Sequence, residues 1–153
     1  MRNYRQGIYE VKNKDKYIGS KNPRYLSSYE YYCFRYFDHH KDVIKWGAEI
    51  VVVPYMNPSK RTQDGQPKKC RYIVDVYVKY ITRTGETKEV LFEIKPYDQT
   101  LPPKKTANMK ESTYNYQLLT YNQNLAKWQA AKQYAESKGM EFKLLTEKQL
   151  YKA

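Results

Sequence analysis

From Arg71 to Pro96 apolar and polar residues alternate in two runs on either side of Gly85. A period of two marks half-buried strands, and a glycine-bearing break between two such runs marks a hairpin. A three-residue loop, Arg83-Thr84-Gly85, with glycine at its left-handed position would set Ile81 against Thr87. Val78 then faces Val90, Val76 faces Phe92 and Val74 faces Ile94, which makes one apolar face. The other face pairs Lys79 with Glu89, a favourable match, and then Asp75 with Glu93. Two like charges directly opposite destabilise a sheet. Lys95 lies two residues beyond Glu93 and shares its face.

The remaining elements follow from changes of period. The stretch SSYEYYCFRYFDHHKDV places Tyr29, Tyr32, Cys33, Tyr36 and Phe37 at helical spacing. Ser27 and Glu30 fit a capping box at its start. His39 and His40 fit its C-terminal end, where positive charge is favoured. Ile44 to Gly47, and then Ala48 to Tyr55 with the run IVVVP, read as a short buried strand ended by Pro54. Asn57 to Lys69 reads as the hairpin loop that leads into Arg71. After a loop broken by Pro102-Pro103, a long helix from about Thr113 to Gly139 is expected. Leu118, Tyr121, Leu125, Trp128 and Ala135 form its apolar stripe. MEFKLLT is a final strand and TEKQL a terminal helical turn. The order is helix, strand, hairpin, helix, strand, preceded by a polar stretch over residues 1–23. That stretch is a loop or arm, either solvated or strapped over nucleic-acid backbone.

Charge changes the picture next. Twenty-eight Lys and Arg against sixteen Asp and Glu give a net charge of +12, which points to an anionic partner. Eighteen tyrosines are interleaved with these charges, a composition suited to stacking and phosphate contact rather than to a membrane surface. No apolar run approaches the ~20 residues of a spanning helix, and no secretory segment is visible at the N-terminus. Cys33 and Cys70 have no zinc-like spacing and read as two ordinary thiols. Lys60, Arg61, Lys68, Lys69 and Arg71 gather near one end of the expected sheet and could grip a phosphate backbone. A chain of 153 residues accommodates one domain with a proper core.

Two carboxylates forced together beside a lysine are what a divalent cation with hard oxygen ligands requires. Asp75 followed by Glu93-Ile94-Lys95 resembles the PD-(D/E)xK nuclease signature, with Val74 where the signature has proline. The same residues could instead decorate an exposed hairpin face. Glu30 is either a plain capping carboxylate or a further acid turned toward the sheet. Glu49 either points into the same cleft or marks the exposed start of its strand.

Several separate pieces narrow the resemblance: RYLSSYEYY, IKWGAEIVVVPY, the hairpin ending LFEIKP, QTLPPKK, and NLAKWQAAKQYAESKGMEFKLLTE. In this order, from about Arg24 to Leu150, they resemble the head completion nucleases of T-even-type tailed phages, which are themselves similar to the transposase endonuclease TnsA. The resemblance implies an α/β fold with an αβββαβ core, a central mixed sheet flanked by helices. It implies a nuclease domain over 24–153 behind a basic arm over 1–23. Asp75 and Glu93 match metal-binding carboxylates, with the Ile94 carbonyl as a further oxygen ligand. Lys95 matches the lysine that orients the attacking water. Glu30 matches a first-helix acid that completes the cation shell through water or holds a second ion. Asn124 and Lys127 match a polar pair on the long helix, assigned to DNA contact. The implied cofactor is Mg²⁺, with Mn²⁺ as a substitute. The implied partners are DNA, read mostly through its backbone, and phage head or neck proteins, with no membrane. The implied setting is the host cytoplasm during phage assembly, or the virion, with DNA processed so that head and tail can join. Two other classes stay open: a structural connector with a vestigial site, and a DNA-binding module without catalysis.

Overall fold

The computed structural model describes residues 5–150, with the Leu150 side chain set aside. Residues 1–4 of the expected arm and 151–153 of the expected domain lie outside the described residues. In chain order the elements are strands β1 (Gly7–Ile8) and β2 (Arg24–Tyr25), helix α1 (Ser28–His39), strands β3 (Val43–Ala48), β4 (Val52–Arg61), β5 (Pro67–Ile73), β6 (Val76–Ile81) and β7 (Thr87–Ile94), a 3-10 turn (Tyr97–Thr100), helix α2 (Glu111–Ser137), strand β8 (Glu141–Leu145) and the short helix α3 (Glu147–Leu150).

The β6–β7 hairpin has the register expected from its turn. Ile81 pairs with Thr87, Lys79 with Glu89, Val78 with Val90 and Val76 with Phe92. Thr82 N–H donates to the Glu86 carbonyl at 2.8 Å, and Gly85 N–H donates to the Thr82 carbonyl at 3.0 Å. Gly85 stands at φ +85°, a conformation that costs a side-chain-bearing residue and costs glycine nothing. The expected pair of Val74 with Ile94 does not form. The ladder ends at Val76, and Val74 N–H donates to the Val51 carbonyl at 2.9 Å instead. The chain turns away from β7 one residue before Asp75.

Four strands make the central mixed sheet, in the order β3-β6-β7-β8. The first three are antiparallel and β8 is parallel to β7. With α1 and α2 this is the αβββαβ core, one helix on each face. On the α1 face, Cys33, Phe34 and Phe37 pack with Trp46, Val76, Val78 and Ile94. On the α2 face, Trp128, Ala131 and Ala135 pack with Leu91, Val53, Tyr72 and Val74.

Three expectations need correction. The core strand ahead of the hairpin is Val43–Ala48, and IVVVP opens a separate two-stranded sheet, β4–β5, that packs on α2. Pro54 and Pro58 lie within β4, which a strand outside the main sheet tolerates because fewer of its N–H groups need partners. Asn57 to Lys69 is therefore mostly strand, closed by Thr62 to Gln66 with Gly65 at φ +79°. The apolar stripe of α2 changes at one position: Leu125 is 43% exposed, whereas Trp128, Ala131 and Ala135 are buried and Leu118 and Tyr121 half-buried.

The third correction concerns the polar stretch before α1. Tyr9 and Val11 are buried in the α1-side core. Asp38, itself fully buried, accepts hydrogen bonds from Tyr9 Oη at 2.7 Å, Lys12 N–H at 2.8 Å and Asn13 N–H at 3.0 Å. Further along, Trp46 N–H donates to the Lys16 carbonyl and Ile18 N–H to the Trp46 carbonyl. The described part of the stretch is bound into the domain by the Asp38 carboxylate, by a strand edge, and by bonds from Asn13 Nδ2 to the Asp38 carbonyl and Lys16 Nζ to the His40 carbonyl. Burial raises the Asp38 carboxyl, but the Tyr9, Lys12 and Asn13 donors outweigh it and hold the group below the ordinary range. Its contribution is then full above about pH 4 and lost as pH falls through the lowered value. Asp38→Ala should cost about 3 kcal/mol by stranding three donors. Denaturant melts check this, and a change within about 0.5 kcal/mol, the range of an ordinary surface substitution, would refute the latch.

Candidate active site

The site lies where β6 begins and β7 ends. Adjacent residues on a strand point to opposite faces, so Phe92 and Ile94 pack toward α1 while Glu93 turns to the α2 side. Asp75 stands one residue outside the ladder, and its Oδ2 accepts the Ile94 N–H at 2.8 Å. That bond replaces the rung that the departing chain would have made, and it aims the carboxylate at Glu93. The Glu93 carboxyl, 7% exposed, is near enough for its charge to act on Asp75. Lys95 Nζ is 3.6 Å from Glu93 Oε1. The lysine is itself fixed by the parallel neighbour, because its N–H donates to the Leu145 carbonyl at 2.9 Å.

Burial, followed by the Glu93 charge, pushes the Asp75 carboxyl up to about 8, partly opposed by the Ile94 N–H. The Glu30 carboxyl is also raised, first by burial, then by the charges of Glu49 and Glu93, against Lys95 and the Leu26 N–H. Glu30 takes the expected capping role at the start of α1. Ser27 Oγ accepts the Glu30 N–H at 3.2 Å, and Glu30 Oε2 accepts the Leu26 N–H at 2.8 Å. From that cap its charge still reaches Glu93 and Lys95. Glu49 is exposed, and its N–H donates to the Asp75 carbonyl at 3.0 Å. It stands at φ 56°, a left-handed conformation uncommon for residues other than glycine. Glu49 thus follows the end of β3 rather than opening the IVVVP strand, and its charge acts on Glu30.

Lys127 turns its ammonium over the rings of Tyr72 and Tyr55, 5.7 and 5.9 Å from their centroids. Tyr72, 4% exposed on β5, donates its hydroxyl to Glu93 Oε2 at 2.5 Å. Sequence reasoning missed Tyr72, since nothing in KKCRYIVDV separates it from the other core aromatics. Asn124, three residues before Lys127 on α2 and so its neighbour on the helix surface, lines a cavity of about 420 Å³ between α2 and the chain following β7. Lys60, Arg61, Lys68, Lys69 and Arg71 are all exposed on the β4–β5 hairpin. At about 3.3 Å per strand residue, Arg71 lies about 13 Å and Lys68 about 23 Å along the chain from Asp75. His39 and His40 stay at the end of α1, where His40 Nδ1 accepts the Asp42 N–H. Cys33 and Cys70 are free thiols.

A larger cavity, about 760 Å³, runs along α1 past Phe37 and Phe92. It is mostly apolar and lies on the other face of the sheet, so it is not the carboxylate site.

Comparison with known proteins gives this geometry a family. Residues 40–147 match the family model described as TnsA-like endonuclease N terminal. The chain belongs to the TnsA-like endonuclease family. It is also 33% identical over 145 residues to the "Head completion nuclease" of Enterobacteria phage T4, covering 92% of this chain and 90% of that protein. No solved structure matches. The TnsA-like match takes in Asp75, Glu93, Lys95, Asn124 and Lys127, and leaves α1 with Glu30 outside it.

Among the described residues no three His, Cys, Asp or Glu side chains converge to hold a metal ion by themselves. The donor set still fits Mg²⁺. That ion is bound through one or two carboxylates and keeps its remaining positions for water and substrate phosphate. Two adjacent carboxylates, one raised by its neighbour's charge, are a site that a cation would relieve.

The same repulsion gives a stability prediction. A carboxyl whose folded pKa lies near 8, against about 3.9 unfolded, holds more protons when folded. Metal-free stability should therefore fall as pH rises from about 4 to about 8. Asp75→Asn should remove that slope and raise stability in EDTA at pH 8 by about 1 kcal/mol, with little gain on adding Mg²⁺. Melts of both proteins in EDTA and in Mg²⁺ decide it. A variant that melts lower in EDTA, yet gains as much from Mg²⁺ as the wild type, would contradict both the register and the metal site.

Proposed function

We propose that the protein is a Mg²⁺-dependent DNA nuclease that cleaves phosphodiester bonds with little sequence preference. The observation that carries this reading is the convergence of Asp75, Glu93 and Lys95 where the β6–β7 pair ends. Asp75, Glu93 and the Ile94 carbonyl would hold the ion, with Glu30 reaching it through water; Mn²⁺ is an acceptable substitute for such oxygen donors. Bound there, the ion supplies Lewis-acid charge at the scissile phosphate and acidifies water near neutral pH. Lys95 brings a second positive charge to the same place, where it orients the attacking water and offsets charge developing on the non-bridging oxygens. Its contact with Glu93 keeps the ammonium at the cleft rather than in solvent.

Grip on the substrate falls to the basic β4–β5 hairpin and to Lys127 and Asn124 on α2. Lys60, Arg61, Lys68, Lys69 and Arg71 present point charges and forks suited to phosphates. Phosphates recur every 3.4 Å along a strand, so basic residues set back from the carboxylates along the hairpin would hold DNA away from the cut. The likeness to a head completion nuclease supports a setting in phage assembly in the host cytoplasm. There the substrate is DNA at a packaged head, and the protein partners belong to the head or neck.

Glu93→Ala or Lys95→Ala should abolish Mg²⁺-dependent cleavage of linear, nicked and closed circular DNA, while DNA binding stays within a few-fold. Cutting at the wild-type rate by either variant would show that the site is misplaced. Replacing Lys60, Arg61, Lys68 and Lys69 together by Ser should weaken binding to all sequences alike. It should also flatten the log–log salt dependence by up to ~0.9 per lost duplex phosphate contact. An unchanged salt slope would mean that the hairpin faces away from DNA.

A further inference from the structure

Glu93 is held on both sides by groups of different kinds. Oε1 faces the Lys95 ammonium at 3.6 Å, a separation too long for a tight hydrogen bond. Oε2 accepts the Tyr72 hydroxyl at 2.5 Å, within the range of strong charge-assisted O–H···O⁻ bonds. Tyr72 has little freedom to move away. Its backbone pairs with Val53, and its ring is buried among Val53, Tyr55, Val74, Leu91 and Trp128. Lys127 covers it with an ammonium 5.7 Å from the ring centroid, an attraction between a cation and the electron-rich ring face. The sheet that carries Tyr72 is not the sheet that carries Glu93, so the bond also ties the β4–β5 hairpin to the end of β7.

We infer that Tyr72 is a positioning and metal-selecting residue: by occupying Glu93 Oε2 it makes Glu93 a one-oxygen ligand and thereby favours Mg²⁺ over Ca²⁺. This rests on the proposed metal-dependent reading and goes one step beyond it. Mg²⁺ demands near-octahedral geometry, whereas Ca²⁺ takes six to eight oxygens and accepts a carboxylate through both. A carboxylate with one oxygen already bonded suits the smaller ion. Releasing Oε2 opens the two-oxygen mode that suits the larger one. Lys127 acts a step further back, by holding the ring that holds the carboxylate.

The test is Tyr72→Phe, which keeps the ring and removes only the hydroxyl. Mg²⁺ and Ca²⁺ affinities are measured by calorimetry and by metal-induced shifts in melting temperature, with DNA cleavage alongside. Loss of a hydrogen-bond partner behind a metal ligand typically weakens metal binding by about 10- to 100-fold. The expected result is that loss for Mg²⁺ with Ca²⁺ affinity unchanged or improved, so that the Mg²⁺/Ca²⁺ ratio falls at least about tenfold. Tyr55→Phe removes a hydroxyl from the same cluster, one that meets Asn57 rather than Glu93, and should leave the ratio alone. Tyr72→Met, which also lacks the donor, keeps the test decisive if the Phe variant does not fold. A Tyr72→Phe protein whose two affinities are unchanged, or fall together, would overturn the inference while leaving the metal-dependent reading standing. A wild-type protein that binds neither ion would overturn both.

Discussion

The structure depends on what happens at the open end of the β6–β7 pair. An ordinary antiparallel ladder would have placed Asp75 and Glu93 opposite each other and left their repulsion as an unrelieved cost. Here the chain leaves the ladder at Val76, and Asp75 turns its carboxylate back to take the Ile94 N–H that the missing rung would have used. One hydrogen bond thus satisfies a backbone donor, fixes the direction of an acid and keeps two carboxylates close. The ladder behind it, from Val76–Phe92 to the Gly85 turn, keeps that end in register, because a slip of one residue would reverse every side chain.

Around this end, parts of the fold on both faces of the sheet have been brought to bear. From the α1 side comes Glu30, tied at the first turn of the helix by its own capping bonds. That helix is in turn braced by the chain before it through Asp38. From the α2 side come Tyr72 and Lys127, one on an inserted hairpin and one on a helix. The central sheet supplies Asp75, Glu93 and Lys95. An acid from α1 and two from the sheet therefore lie near one sheet end, although no three of them converge on a single point among the described residues. Such a place suits charge that is relieved only when a cation and a substrate arrive.

Much of this was legible in the chain because local rules sufficed. The sequence Thr82-Arg-Thr-Gly-Glu86 determines the loop, and the loop determines the register from Ile81–Thr87 to Val76–Phe92, which brings Asp75 to the end of β7 although the expected Asp75–Glu93 rung does not itself form. Thr62-Gln-Asp-Gly-Gln66 has the same form, and both glycines adopt the same left-handed φ. Read in the same way, it would have revealed β4–β5 as a hairpin rather than a loop. Pro54 and Pro58 in the apolar run were a second sign, since prolines belong on strands with few neighbours. The core strand Val43–Ala48 was harder to choose because its burial rests on Trp46 rather than on a run of valines. Tyr9 and Val11 were illegible for a different reason. Two apolar residues in a polar stretch carry no period, and what buries them is a carboxylate 29 positions from Tyr9. The stripe of α2 was legible from its period, and of its expected members only Leu125 is exposed.

The inserted hairpin shows why site geometry outruns a short motif. Asp75 and Glu93-Ile94-Lys95 lie on neighbouring segments of one hairpin, so their association is nearly local and leaves a pattern in the chain. Tyr72 is only three residues before Asp75, yet it reaches Glu93 from a different sheet, because the chain bends at Asp75, just after Val74, and turns from pairing with β4 to pairing with β7. The same bend therefore releases Asp75 from the ladder and sets the Tyr72 hydroxyl on the neighbouring acid. Val74, buried with Leu91 and Trp128, anchors that bend by packing rather than by charge. A substitution that disturbed its packing would move Asp75 and Tyr72 at once. The position that precedes the motif's first acid then has a physical task here: it holds the corner from which both arms of the site are hung.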